Sequence, residues 1–216
     1  MAGPQQLADL PYAAALEPHD GKLAADGRYD CALFDHVTLA EPSGRAAAFL
    51  ECAFQQARVL GGDLGRARLN DVWLRDTALT GTGLAQSSWL DVTFLGGLAA
   101  GVEAYGSLLR RVTFSHSKLD SVNFREAKLT EVRFEDCLLR DVDFGGATLT
   151  RVAFAGSRLS KVDFSRASLD EADLRGAELD IVADPGALRG AIISAGQLTA
   201  IAPALADSLG IEVTPD

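Results

Sequence analysis

The chain has 216 residues, 48% of them hydrophobic and 23% charged, which fits one folded domain or one with a small appendage and excludes a disordered polymer. Thirty acids against twenty bases give a net charge of −10, so a generally basic nucleic-acid binder is excluded and no direct nucleic-acid binding is expected. No window reaches the roughly 18 uninterrupted apolar residues of a membrane helix, and no membrane association is expected.

Residues 1–28 lack a basic region followed by an apolar core and are not a secretory signal. The three cysteines, Cys31, Cys52 and Cys137, form no C-x-x-C pair. A reduced, soluble, cytoplasmic protein is expected. Leu7, Leu10, Tyr12 and Leu16 are the apolar residues available to residues 1–28 for covering whatever follows as an N-terminal cap.

From residue 29 the chain repeats. All ten phenylalanines, from Phe34 to Phe164, have numbers ending in 4 or 9. Of the thirty positions in that register between 34 and 179, all but Gly44, Ala99 and Ala104 are large and apolar. Two residues before each lies a small one: Ala, Val, Cys, Ser, Thr or Gly, with Pro42 the exception. A helix would wind such positions around its whole surface, and a plain strand would send successive ones to opposite faces. A chain that turns a corner every five residues keeps them all inside, as a solenoid whose turns stack through backbone hydrogen bonds.

The run from Val122 to Leu179, with units such as Val132-Arg133-Phe134 and Ala172-Asp173-Leu174, resembles the pentapeptide-repeat family. The resemblance covers about 34–179, and Gly27 with Tyr29 extends it. It implies an all-β solenoid, a right-handed quadrilateral β-helix with four pentapeptides per coil. An independent check agrees. At twenty residues per coil, Phe34, Phe54, Phe94, Phe114, Phe134 and Phe154 stack on one side, and Phe124, Phe144 and Phe164 stack opposite. About seven coils at the ~4.8 Å strand spacing make a rod of about 35 Å. Two stretches depart from the pattern. Residues 40–48 contain Pro42 and Gly44 and suggest a bulged corner. Residues 96–107 are either an inserted loop or a weak coil, and the unbroken phase across them favours the coil.

The expected organisation is an N-terminal cap over 1–28, the β-helix over 29–183 and a C-terminal cap over 184–216. Asp184-Pro185-Gly186 breaks the repeat. Ser194 with Gln197 reads as a capping box, and Gly210 as a helix stop. Leu198, Ile201, Leu205 and Leu209 fall on one face of that helix. Pro203 predicts a kink or two short helices, and Ile211-Glu212-Val213 a last strand. The apolar face covers the last coil; the family resemblance implies in addition a homodimer contact through this C-terminal end.

Chemistry is sparse. His36 and His116 share a corner but lie four coils apart, roughly 19 Å, so they share no metal. His116 and Asp136 are one coil apart and within reach of each other. Cys52 and Cys137 sit at inward small positions and read as buried and inert. No nucleotide-binding glycine motif is present. No catalytic, cofactor-binding or metal-binding residue is assigned, and an enzyme is not expected.

What remains is charge on the outside. One column, read once per coil, contains Asp63, Glu103, Asp143 and Asp163. A second runs Glu51, Asp71, Asp91, Arg111, Glu131, Arg151, Glu171. The family resemblance gives these rows a meaning: fluoroquinolone-resistance pentapeptide proteins bind DNA gyrase or topoisomerase IV as mimics of duplex DNA. The unbroken register resembles their loop-free type. It implies a protein-binding rod that modulates such an enzyme; the alternative is a non-enzymatic scaffold for another protein partner.

Overall fold

A computed structural model describes residues 3–180 and 185–214. The chain is a parallel β-solenoid whose strands pair with residues twenty further on without a slip, from Tyr29 opposite Phe49 to Leu159 opposite Leu179. Two sides are eight-stranded sheets, through Leu39 and through Leu69. A third, through Phe34, is seven-stranded. The fourth is a line of single bridges from Ser43 through Asp63, Glu103 and Asp143 to Asp163. The sheets thus run to eight coils where the arithmetic of the repeat suggested seven.

The inward residues behave as the register requires. Phe34 stacks on Phe54 at 4.3 Å, Phe114 on Phe134 at 5.0 Å and Phe134 on Phe154 at 4.9 Å, all nearly parallel. Phe144 stacks between Phe124 and Phe164, at 5.4 Å to each. The small inward positions do more than fill space. Thr77, Ser117 and Ser157 donate their hydroxyls to the carbonyls of Phe54, Phe94 and Phe134, at 3.0–3.2 Å. Each buried hydroxyl is therefore satisfied inside an apolar stack, where an unpaired one would be costly.

Every fifth residue from Asp26 to Gly176 has a left-handed backbone, with φ between +47° and +78°. Most of these corners are not glycine, although the left-handed region costs an ordinary residue about 1–2 kcal/mol. The ladder offsets that cost: the corner amides of Glu51, Asp71 and Asp91 donate to Asn70, Leu90 and Arg110 one coil on, at 3.0–3.1 Å.

Residues 96–107 form a regular coil, with Ala99 opposite Leu79 and Leu119. Residues 40–48 do too, and the expected bulge is absent: Leu39 faces Val59 and Phe49 faces Leu69. The reason is local. Pro42 only accepts, from the Asp63 amide at 2.9 Å, and its place in the coil needs no ladder donor; one coil later the Gly62 amide donates to the Glu41 side chain.

Between Phe54 and Phe94 the stack is interrupted by Leu74, and a void of about 30 Å³ lies there against Leu64, Leu84 and Trp89. Leu74→Phe is expected to fill it and make the row continuous. A gain of ~1 kcal/mol would raise Tm by about 2–4 °C. A lower Tm would mean that the neighbouring coils cannot accept the ring.

The N-terminal cap has two parts, which corrects the sequence expectation. Residues 17–23 cover the first coil. Glu17–Pro18 adds a strand to the Phe34 sheet, and the His19 ring lies 4.8 Å from Phe34 and 5.1 Å from Tyr29. Leu7, Leu10, Tyr12 and Leu16 do not cover the coil end. They pack on the outside of the Phe34 sheet, against Leu33, Ala53 and Trp73.

At the other end, Ala191–Ile192 pairs with Ala172–Asp173, and one helix spans Ala195–Ser208. The capping box forms: Gln197 N donates to Ser194 Oγ at 3.2 Å, and Ser194 N to Gln197 Oε1 at 2.8 Å. Gly210, at φ +69°, ends the helix, and Ile211 N returns to Ala206 O at 2.9 Å. Pro203 lies within it without splitting it into two; the residue is exposed and lacks only its own amide donor. Residues 211–214 form no strand. The expected boundary at 183–184 lies outside the described residues.

Candidate functional surface

Apart from the void beside Leu74 the coil interior is filled, which leaves the four outer sides and the two ends as candidate surfaces. Along the bridged side Asp63, Glu103, Asp143 and Asp163 lie on one line of bridges, with Gly83 between the first two and Asn123 between Glu103 and Asp143. Its carboxylates are engaged. Asp63, Asp143 and Asp163 each accept the amide two residues on, from Gly65, Gly145 and Ser165, at 2.7 Å. This local turn is one that aspartate and asparagine make alike. Arg45 and Arg125 add ion pairs to Asp63 and Asp143 at 3.1 and 3.0 Å. Glu103 accepts from Asn123 Nδ2 at 2.7 Å. The Gly65 amide, with Arg45, holds the Asp63 carboxyl below its ordinary pKa.

The second column follows the corner after the Leu69 sheet. Arg111 and Arg151 interrupt its acids, and the structure pairs two of those acids with the next coil. Arg111 grips Asp91 through two bonds of 2.6 and 2.5 Å, and Arg151 meets Glu131 at 2.8 Å. Repulsion survives at Asp71. Partial burial, then the charges of Asp91 and Glu51, push its carboxyl above the ordinary value. Glu171 is the last member, at the corner with φ +55°. Glu51 accepts from the Cys31 thiol at 3.7 Å.

The outer face of the Leu69 sheet was not singled out in the sequence. Between residues 48 and 150 its outward positions include Arg68, Arg110 and Lys128, with Leu50, Leu90 and Leu108, and no acid. None of the three cations has an ion pair among the described residues. The signal was available as the absence of Asp and Glu at two outward places per coil in an acidic chain.

The remaining chemistry is quiet. Cys52 and Cys137 are buried, donate their thiols to the Tyr29 and Phe114 carbonyls at 3.1 and 3.4 Å, and burial pushes both up to about 11. His116 and Asp136 approach to 3.8 Å on the surface. Among the described residues, no three His, Cys, Asp or Glu side chains are grouped to hold a metal ion. No described helix is long and apolar enough to cross a membrane.

The four leucine-register residues of the C-terminal helix divide. Ile201 is buried and Leu205 half-buried beside Leu188, Ala191 and Ile193, whereas Leu198 and Leu209 are 50% and 72% exposed. Ile211 and Val213 extend that exposed apolar surface.

A family model described as pentapeptide repeat region matches residues 100–164. By sequence, no curated protein matches the chain. A trypsin-treated form of QnrB1, a plasmid-mediated fluoroquinolone resistance protein, superposes with a TM-score of 0.59 at 20% identity, covering 92% of this chain and 96% of that one. A second trypsin-treated form of QnrB1 gives 0.39 at 18% identity, over 87% and 100%. The pentapeptide repeat protein Rfr23 from the cyanobacterium Cyanothece 51142 gives 0.32 at 18%, over 56% and 64%. The first of these likenesses is one of fold.

Proposed function

We propose that this chain, whose residues 100–164 match a pentapeptide-repeat model, is a non-catalytic, protein-binding rod that works through its outer sides. The observation that carries this reading is the interior. It is a continuous stack of Phe and Leu with satisfied hydroxyls and deeply protonated thiols, and it offers neither a cleft nor a nucleophile.

DNA gyrase or topoisomerase IV is the partner to test first. A straight row of Asp63, Glu103, Asp143 and Asp163, in a chain of net charge −10, suits a groove built for phosphate, and QnrB1, whose fold the chain shares, is a fluoroquinolone resistance protein. The mimic surface would be the bridged side; the corner acids Glu51, Asp71, Asp91, Glu131 and Glu171 lie across the Leu69 sheet from it and would form a second, separate acidic row. The Leu69 face, without an acid between residues 48 and 150, is unsuited to it. A scaffold for a different protein partner is the alternative. The exposed Leu198 and Leu209 add self-association through the C-terminal end, which sedimentation of the purified protein would read as a dimer.

Titration into a gyrase supercoiling reaction tests the partner. Inhibition should be relieved by excess duplex DNA and weaken with salt. Replacing the row together, Asp63→Asn, Glu103→Gln, Asp143→Asn and Asp163→Asn, should raise the inhibitory concentration by about tenfold or more, a typical size for lost charge complementarity. The melt should be unchanged, because asparagine keeps the oxygen that accepts Gly65, Gly145 and Ser165. Equal inhibition by this variant would remove the row as the mimic surface. No effect of the wild type on gyrase would leave the scaffold reading.

A further inference from the structure

Residues 3–16 lie on the rod without belonging to it. Two separate clusters of buried apolar residues stand out among the described residues. One is the stack inside the coils; the other is Leu10, Ala53 and Trp73, ringed by Leu7, Tyr12, Leu16 and Leu33. The strands beneath, Ala32–Asp35, Ala53–Gln55 and Trp73–Arg75, are fully paired with one another without the segment. The segment's backbone pairs with itself: Asp9 N to Gln6 O at 2.9 Å, Ala13 N to Leu10 O at 3.0 Å. The Asp9 carboxylate also accepts the amides of Gln5 and Gln6. Its polar ties to the rod are Trp73 Nε1 to the Pro4 carbonyl at 3.1 Å, Arg75 to the Gln5 carbonyl, and Tyr12 Oη to the Cys52 carbonyl at 3.4 Å. Lifting the segment would therefore unpair no ladder bond of the coil. It would uncover a stripe of Leu33, Ala53 and Trp73 on a flat sheet face. Past Gly3 the same face continues as an open groove over Thr93, Thr113 and Arg133.

We propose that the outer face of the Phe34 sheet is a docking groove for an apolar segment of a partner protein, and that residues 3–16 occupy it in the partner's absence. The segment defines the chemistry: leucine or tyrosine side chains spaced as Leu7, Leu10, Tyr12 and Leu16, a proline at the Trp73 end, and no Lys or Arg. Trp73 anchors the groove, as buried aromatics with one hydrogen-bonding edge commonly do at interfaces. The proposal rests on the protein-binding reading and adds the face and the kind of ligand.

The test uses the full-length chain and a labelled synthetic peptide with the sequence of residues 3–16. Leu10→Asp should release the tethered segment, shift tryptophan emission to the red through Trp73 and leave the thermal transition of the rod in place. The peptide should then bind the Leu10→Asp protein at least about tenfold more tightly than the wild type, whose own segment competes at an effective concentration of about millimolar. Adding Trp73→Ala should abolish that binding. Equal affinity for both proteins, or none for Leu10→Asp, overturns the proposal. Should Leu10→Asp fail to fold, hydrogen exchange of the wild type decides. Amides of Asp9, Leu10 and Ala13 exchanging about a hundredfold or more faster than those of Phe54 and Leu74 would mean that the segment lifts off a folded rod. Equal rates would make it part of the rod and end the idea. No topoisomerase enters this experiment, so its outcome is independent of the supercoiling result.

Discussion

Phe134→Asp is expected to yield a protein with no cooperative thermal transition. The ring is fully buried, parallel to Phe114 and Phe154 on the coils either side, and edge-on to Phe144 at 6.2 Å. Losing such a ring costs about 3–5 kcal/mol in cavity and transfer terms alone. The carboxylate would add a buried charge without a partner, at several kcal/mol more. The nearest hydroxyl cannot help, because Ser157 already gives its hydrogen to the Phe134 carbonyl at 3.0 Å. The sum rivals the ~5–15 kcal/mol by which whole domains are stable. In a solenoid the damage also falls at the nearest-neighbour contact that couples the two halves. Phe134→Leu is the control: Leu74 holds the same row three coils away, so it should cost only about 1–2 kcal/mol. Circular dichroism during heating reads both. A Phe134→Asp protein that melts like the wild type would place residue 134 on the outside and sink the inward register.

That register was legible because burial is enforced at two of every five positions, and no slip keeps Phe and Leu inside. The corners were not. Their left-handed backbone is imposed by the ladder, so residues as unlike as Glu51, Ala46, Gln86 and Arg111 adopt it, and composition records almost nothing. Pro42 misled for a related reason: its effect depends on whether that one amide is needed, which only the hydrogen-bond pattern reveals. The N-terminal segment could have been placed from the rod's side. Leu33, Ala53 and Trp73 stand at outward positions where later coils carry Thr93, Thr113 and Arg133. Such a run of apolar outward residues calls for a cover. The acidic rows stack as a twenty-residue coil requires, but their partners were half readable. The pairs Asp91–Arg111 and Glu131–Arg151 follow from the twenty-residue coil; the turns at Asp63, Asp143 and Asp163 need the backbone geometry.

Removing residues 185–216 is expected to turn a discrete rod into an associating one. The last coil depends on that segment for its edge and for its lid. Leu174, fully buried, donates its amide to Ile192 O at 2.9 Å, and Ala172–Asp173 is paired only on one side without Ala191–Ile192. Gln197 serves twice. It completes the helix cap, and its Nε2 donates to Leu174 O at 2.6 Å and Ala177 O at 2.8 Å, carbonyls that point off the end of the stack. Ala187, Leu188, Ala191 and Ile193 pack against the apolar end, and Ile201 is buried beside them. An uncovered parallel edge over a Leu-lined core is a template for pairing with another chain. The truncated protein should scatter light and lose more than about 10 °C in Tm, given about 2–4 °C per kcal/mol at this size. Two point changes separate the contributions. Gln197→Ala forfeits the cap and two carbonyl bonds, about 1–2 kcal/mol, while Ile201→Asp undocks the helix at about 3 kcal/mol or more. Leu198→Ser and Leu209→Ser, on the exposed part of the helix end, should leave the melt untouched and act only on sedimentation. A truncated protein that stays monomeric and keeps its Tm would mean that the segment is not the lid. Its whole apolar surface would then be free for a second copy.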